Sequence, residues 1–290
     1  MRAAIDIGTN SLRLLVGTRD QDQGKVCVVE QIVQETRLGT GIKKRILNPE
    51  AINRTIDALK YFQHILLQNY GIREGAIVAT SAVRDAENKE EFINRVFDST
   101  GWRVRVLSGE EEAKLSYYGA LSAIPFFHGV PVVIDIGGGS TEIIFRCLEG
   151  IQTVSINIGA VRLAEKMHPA DYLRKIISAG LERMDIPYES SFVGVGGTVT
   201  TAAAISFFVQ EYSREAIHGR ILSLEGIREI KNKLAKMTLS ERERVIGLTA
   251  KRADIIVPGL TILIIVMEML GAGKIWVSDA GLLDGLILEK

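Results

Sequence analysis

Cysteine is almost missing from this chain: Cys27 and Cys147 are the two among 290 residues, far apart and without CxxC spacing. That excludes a disulfide scaffold and a thiolate zinc site, and it fits a reducing compartment. Histidine is nearly as scarce. His64, His128, His168 and His218 are scattered, with no partner at ligand spacing. An excess of one charge is missing too, since Lys+Arg and Asp+Glu both number 35. No global field therefore draws the chain to nucleic acid or to a membrane surface, and any polyanion must be held by a local site. Long apolar runs are absent as well. The greasiest stretch, IIVPGLTILIIVMEML, carries Pro258 and Glu268 and is too short to span a bilayer, so it reads as a buried helix. Met1-Arg2 leads directly into an apolar strand without the pattern of a signal peptide, and a cytoplasmic protein is expected.

What the chain does have is a repeated, glycine-bearing hairpin. Ile5-Asp6-Ile7-Gly8-Thr9-Asn10-Ser11-Leu12-Arg13 matches Ile134-Asp135-Ile136-Gly137-Gly138-Gly139-Ser140-Thr141-Glu142, with the two aspartates 129 residues apart (135 − 6). Each copy is an apolar strand ending in Asp, a turn with hydroxyl side chains, and a second apolar strand. Each then turns into a third strand, Val26–Val33 or Ile151–Ile158. A plain hairpin needs one or two residues of positive φ. Three glycines followed by Ser and Thr make a loop with almost no side chains and many backbone N–H groups, a seat for an anion such as phosphate.

Between the copies the pattern is helical. Asn48-Pro49-Glu50 supplies an N-cap, a proline at N1 and a first-turn acid, and Ile52, Ile56, Leu59, Phe62 and Leu66 follow at spacings of three and four up to Gly71. A strand AIVATSAV, a helix over about 89–97, a strand VRVLS and a helix from about Glu110 come next. The second half shows helices near 160–184, the strand SFVGVGG, helices near 199–209, 224–237 and 251–270, the strand KIWVS and a C-terminal helix. This order predicts an α/β fold in each half. The expected domains are 1–124 and 125–290, joined at Ile124–Gly129, with the last helix able to pack back on the first domain.

Each motif has a plain structural reading beside the functional one. A lone Gly-Gly-Gly is usually a turn. Here DIGTNS (6–11) and DIGGGST (135–141) are copies, and GVGGTVT (194–200) adds a third loop, with bare amides at a helix start where the dipole favours negative charge. Asp6 and Asp135 end apolar strands, a poor structural position for a carboxylate but a good one for carrying Mg²⁺. In SGEEEAKLSYYGA the acids Glu110, Glu111 and Glu112 complement a helix start that Ser108 caps, and on the residues alone capping is the favoured reading. One of them turned inward could take a proton from water. Arg84 in TSAVRDA is either a surface partner of Asp85 or a bidentate phosphate ligand. Lys43-Lys44-Arg45 reads as a solvated loop, and Gly39-Thr40-Gly41 and Gly271-Ala272-Gly273 as turns.

Taken together, these motifs resemble the actin, Hsp70 and sugar-kinase superfamily and, more narrowly, the exopolyphosphatase / guanosine pentaphosphate phosphohydrolase family. The narrower likeness rests on IDIGTNSLRL (5–14), TSAVRDA (80–86), SGEEEA (108–113), VIDIGGGSTE (133–142), VGGT (195–198), IHG (217–219), RADIIVPG (252–259) and VSDAGLLDG (277–285). It implies two ribonuclease H-like (actin-like ATPase) domains with an interdomain active-site cleft. It implies a Mg²⁺-dependent (or other divalent-cation-dependent) hydrolase releasing terminal phosphate from inorganic polyphosphate, guanosine pentaphosphate or both. By this resemblance Glu112 is the base, with Glu111 as second choice, and its acidic neighbours raise its proton affinity. Asp135 and Glu142, with Asp6, serve the metal. Arg84, Gly137, Gly138, Gly139 and Ser140 bind phosphate, and Asn10, Ser11, Gly197 and Thr198 lie in matching loops. Many family members continue into a C-terminal helical region. This chain ends at Lys290, so short polyphosphate or the alarmone is the expected substrate. The expected partners are that substrate and a second copy in a homodimer, with no nucleic acid and no membrane. An ATP-dependent kinase of the same superfamily and a non-catalytic alarmone sensor are the competing readings.

Overall fold

The computed structural model describes residues 1–20, 25–40, 45–122, 124, 128–148, 150–166 and 168–289. In chain order its elements begin with β1 (Arg2–Ile7), β2 (Leu12–Arg19), β3 (Val26–Gln34), α1 (Pro49–Tyr70), β4 (Ala76–Ala79), α2 (Ser81–Arg84), α3 (Lys89–Thr100), β5 (Arg105–Val106) and α4 (Gly109–Ser122). They continue with β6 (Val130–Ile136), β7 (Thr141–Cys147), β8 (Gly150–Ile156), α5 (Ala160–Glu165), α6 (Ala170–Leu181), β9 (Ser190–Val195) and α7 (Gly196–Ser206). Last come α8 (Arg214–Ile217), β10 (Ile221–Ser223), α9 (Leu224–Ala235), α10 (Leu239–Arg242), α11 (Ile256–Met269), β11 (Lys274–Val277) and α12 (Leu282–Leu288). Backbone contacts divide the chain into Met1–Ser122 with Leu282–Lys290, here unit 1, and Ala123–Gly281, here unit 2. Residues 125–127 of the expected junction lie outside the described residues.

The sheet of unit 1 has the order β3-β2-β1-β4-β5, antiparallel from β3 to β1 and parallel from β1 to β5. Side chains of a strand alternate between the two faces, and the apolar residues divide accordingly. Ile5, Ile7, Leu12, Leu14 and Val16 face a core with Ile52, Leu59, Phe62 and Leu66 of α1 and Phe92 and Val96 of α3. Their neighbours Ala4 and Leu15 join Val78 and Leu107 on the other face, where Leu115 of α4 and Leu282, Leu283, Leu286 and Ile287 of α12 cover them. The ends of α1 follow its sequence: Asn48 accepts from the Glu50 N–H, Pro49 opens the helix, and Gly71 closes it at φ 65°.

Unit 2 repeats the plan. Its sheet runs β8-β7-β6-β9-β11, again three antiparallel strands followed by parallel ones, with β10 added antiparallel on β11. Both units are thus α/β with the ribonuclease H-like strand order. The core is built from Val132, Ile134, Ile136, Ile143 and Phe145 against α7, α9 and α11. The apolar run at 255–270 is α11, buried on nearly every side. Among the described residues no helix is long and apolar enough to cross a membrane.

Three expected elements differ from those observed. AIVATSAV is not one strand: β4 stops at Ala79 and the chain turns into α2. The Thr80 N–H still makes the ladder bond to Ile7, but the Thr80 carbonyl accepts from the N–H groups of Val83 and Arg84 and the Ser81 hydroxyl pairs with that of Thr9, so the chain leaves the sheet there. VRVLS shrinks to Arg105–Val106 because Ser108 serves as the cap of α4. Gly196 and Gly197 belong to the first turn of α7 and not to the strand before it.

Candidate active site

In unit 1 the turn after β1 is closed by the Gly8 N–H donating to the Ser11 carbonyl at 3.0 Å. Its two other carbonyls are tied back by the segment following β3: Gly39 N–H donates to Thr9 at 2.8 Å and Arg37 N–H to Asn10 at 2.9 Å. Gly39, expected to be a plain turn residue, is a buttress. A Cβ there would stand 2.2 Å from the Thr9 methyl, so only glycine fits. The Thr9 and Ser81 hydroxyls lie 2.9 Å apart and join this turn to α2. The Asn10 amide reaches the Ser11 hydroxyl at 3.3 Å. Asp6 is buried at the end of β1, its carboxylate 3.6 Å from the Arg13 guanidinium opposite it on β2. The basic run at 43–45 is described only at Arg45, which donates to the Asp85 carbonyl at 2.8 Å.

The single turn of α2 aims Arg84 at the start of α4. Its Nη1 donates to the Leu107 carbonyl at 3.1 Å and to Glu112 Oε2 at 2.8 Å, while Asp85 stands 4.0 Å away. The three consecutive glutamates separate by role. Glu110 pairs with Lys114 at 2.6 Å, one turn along. Glu111 completes a reciprocal cap, accepting from the Ser108 N–H at 2.8 Å while its own N–H donates to the Ser108 hydroxyl. Glu112 turns toward Arg84, so each of the three acids has a partner of its own. The Ser108 amide holds the Glu111 carboxyl below the ordinary carboxylate range. The stability from this cap is therefore present above the pKa of a free glutamate and is lost as pH falls through the lower, folded value. Glu111→Ala should cost about 1 kcal/mol in a urea titration at neutral pH, with the difference from wild type shrinking in acid and turnover largely kept. A collapse of turnover with unchanged stability would instead make Glu111 the base.

Unit 2 builds the second turn the same way. Gly137 N–H donates to the Ser140 carbonyl at 3.0 Å, the counterpart of the Gly8–Ser11 bond. The carbonyls of Gly137 and Gly138 accept from Ala160, Val161 and Arg162 at the start of α5, and Arg162 Nε reaches the Gly139 carbonyl at 2.9 Å. With the carbonyls turned back, the N–H groups of Gly138 and Gly139 take no partner among the described residues. None of the three glycines has positive φ, so their value lies in the missing side chains. Gly159 is the hidden requirement. Its backbone is extended, yet a Cβ on it would meet the Gly138 carbonyl carbon at 2.5 Å and the Gly139 nitrogen at 2.6 Å.

Asp135 and Glu142 are direct partners across β6 and β7. Such pairs hold their Cβ atoms about 5 Å apart on one face, and like charges there are destabilising. Glu142 is 1% exposed and accepts from the Ser155 hydroxyl at 2.8 Å. Two hard carboxylates placed together at the mouth of a phosphate-sized turn suit Mg²⁺, which takes one or two carboxylates and completes its shell with phosphate and water. Among the described residues no three His, Cys, Asp or Glu form a metal cluster. The equivalent pair in unit 1 is Asp6 with Arg13, and its charges cancel.

The third loop closes on this site. Gly196, at φ 82°, leaves room for Asp135: a Cβ would stand 2.7 Å from its Oδ1. Gly197 is covered by the Arg252 guanidinium, which occupies the place of a side chain, 1.7 Å from where a Cβ would be. A guanidinium at a helix N-terminus adds positive charge to the positive end of the dipole, an arrangement that an anion relieves. Thr198 packs against Gly259, whose Cβ would lie 2.5 Å from its hydroxyl. Neither Arg252, the first residue of RADIIVPG, nor Gly159 is among the site residues expected from the sequence. The one signal for Arg252 was an Arg opening that motif. IHG and VSDAG meet as well: the Asp279 N–H donates to His218 Nδ1 at 3.2 Å, and the Tyr212 hydroxyl bonds Asp279.

The model of the Ppx/GppA phosphatase family matches residues 17–290. A bifunctional 3-dehydroquinate synthase/phosphatase of Fusobacterium nucleatum is 34% identical over the whole of this chain, which spans 46% of that relative's length. Exopolyphosphatase 2 of Mycobacterium tuberculosis is 32% identical, covering 99% of this chain and 97% of its own. The crystal structure of the Aquifex aeolicus member of the Ppx/GppA family superimposes with a TM-score of 0.80 at 29% identity, over 99% of this chain and 95% of the other.

Proposed function

Because the chain belongs to the Ppx/GppA phosphatase family, we propose that it removes the terminal phosphate from inorganic polyphosphate, guanosine pentaphosphate or both, by attack of a water that Glu112 deprotonates. The observation that carries this reading is the turn at 137–140, whose carbonyls are bonded away so that bare amides are left for an anion. Phosphoryl transfer asks mainly for positioning and for charge stabilisation. The amides of Gly138, Gly139 and Ser140, the start of α7 with Gly197 and Thr198, and the guanidinium of Arg252 would receive phosphate oxygens. Asn10 and Ser11 offer the matching turn of unit 1. Asp135 and Glu142 would hold Mg²⁺, which supplies neutralisation of phosphate charge. Asp6, already balanced by Arg13, is better suited to orienting that arginine than to binding the cation.

In the step itself the water oxygen bonds to the terminal phosphorus and the bridging P–O bond breaks. The water proton passes to Glu112, and a chain shorter by one phosphate leaves. Arg84 would hold Glu112 directed through its Nη1 contact. The test is phosphate release from polyphosphate and from guanosine pentaphosphate, side by side, with Mg²⁺ and with the metal chelated. Metal-dependent release from either is the expected result, and the faster substrate names the natural one. Release from neither would overturn the reading, and release only with an added acceptor would make the protein a transferase.

A further inference from the structure

We propose that α12 is the element that sets the position of Glu112, and that Gly285 is the contact through which it acts. The inference rests on Glu112 being the base. α4 carries Glu112 in its first turn, and Leu115, one turn later, faces α12 within the cluster that covers the second face of the sheet in unit 1. The two helices meet backbone to backbone: a Cβ on Gly285 would stand 2.1 Å from the Leu115 carbonyl oxygen, 2.8 Å from its carbonyl carbon and 3.0 Å from its Cα. Fixed backbone on one side and a missing side chain on the other leave no flexible group to absorb a substitution.

α12 is also unable to slide away. Arg2 donates to the carbonyls of Ile287 and Glu289, Arg19 to that of Leu288 at 3.4 Å, and Arg105 pairs with the Glu289 carboxylate at 3.1 Å. Arg2 and Arg19 thus satisfy carbonyls at the C-terminal end of the helix and complement its dipole. The buried face of α4, in turn, is made largely of small residues, Ala113, Ser116, Gly119 and Ala120, which let a neighbouring helix approach closely. A methyl group at 285 therefore has one outlet, a displacement of α4. That displacement moves Glu112 relative to Arg84, which is anchored separately on α2 and on the Leu107 carbonyl.

Helix propensity alone makes alanine the better residue at an interior helical position, so the sign of the effect is diagnostic. The experiment compares wild type, Gly285→Ala, Ile287→Val and Glu112→Gln for phosphate release from polyphosphate, with hydrogen exchange over 109–116 measured in parallel. Ile287→Val removes a methyl from the same core without pressing on α4. The expected result is a kcat about ten-fold lower in Gly285→Ala with KM within two-fold, faster exchange in the first turn of α4, and near-normal values of both in Ile287→Val. Unchanged exchange over 109–116 in Gly285→Ala would overturn the inference whatever the activity does. So would an equal fall of kcat in Ile287→Val, since the effect would then be general loosening. A fully active Glu112→Gln would strike the base assignment instead, and with it the claim that α12 positions the base.

Discussion

Glu112→Gln should reduce phosphate release by 10²–10⁴-fold, the range typical for loss of a general base, with binding of polyphosphate kept. Glutamine preserves the length and one oxygen of the side chain, so the Arg84 Nη1 contact at 2.8 Å can survive as a hydrogen bond from the guanidinium to the amide oxygen. The substitution therefore removes proton-accepting capacity together with the carboxylate charge that faces Arg84. The measurement is steady-state release at saturating polyphosphate together with binding by titration calorimetry. The signature is a fall in kcat with an unchanged dissociation constant. The neighbouring glutamates act as built-in controls, because Glu110 serves Lys114 and Glu111 serves the cap at Ser108. Retained turnover in Glu112→Gln would mean that the proton goes elsewhere and that the Arg84–Glu112 pair is structural.

Gly159→Ala should be the next most damaging change, although Gly159 holds no phosphate in any reading. Its backbone is extended, so alanine carries no conformational penalty and the added methyl is the whole perturbation. That methyl would sit 2.5–2.6 Å from the main chain of Gly138 and Gly139, the part of the turn that leaves its amides bare. Overpacking of this kind costs about 1–3 kcal/mol. Relief requires the turn to lift from α5, breaking the bonds from Ala160, Val161 and Arg162 that hold its carbonyls back. We expect kcat/KM to fall about 100-fold, equivalent to about 2.7 kcal/mol, with circular dichroism unchanged. Gly273→Ala is the control, since no atom lies within 4 Å of its added methyl. Equal activity in the two variants would show that the turn tolerates displacement and that its bare amides are not the seat.

Much of this was readable from the chain alone, where the cause was local. The ends of α1 follow from Asn48, Pro49 and Gly71 within a few residues of each boundary. The duplicated hairpins were visible because a strand, an aspartate and a hydroxyl-bearing turn recur in one order. Even the difference between the copies was within reach. Once Gly8 closes on Ser11, antiparallel pairing puts Arg13 opposite Asp6, and the same count puts Glu142 opposite Asp135. What could not be read was contact over distance. Gly159 backs a turn twenty residues before it, and Arg252 crosses to Gly197 from the segment between α10 and α11. Neither closeness leaves a periodic trace. The break of AIVATSAV at Thr80 was hidden for a related reason. Its β-branched and small residues suit a strand, and the bond that marks the helical turn, from Ser81 to Thr9, spans 72 residues of sequence.

The place of α12 also has a consequence for synthesis. Unit 2 consists of one continuous stretch, whereas unit 1 is assembled from the first 122 residues and the last nine. While the ribosome makes residues 123–281, Ala4, Leu15, Val78 and Leu107 lack the cover that Leu282, Leu283, Leu286 and Ile287 will bring. Until α12 is made, the nascent chain thus carries this apolar sheet face with only Leu115 of α4 against it, a state exposed to aggregation and of a kind that chaperones shield. The half of the protein that begins first is the half that finishes last.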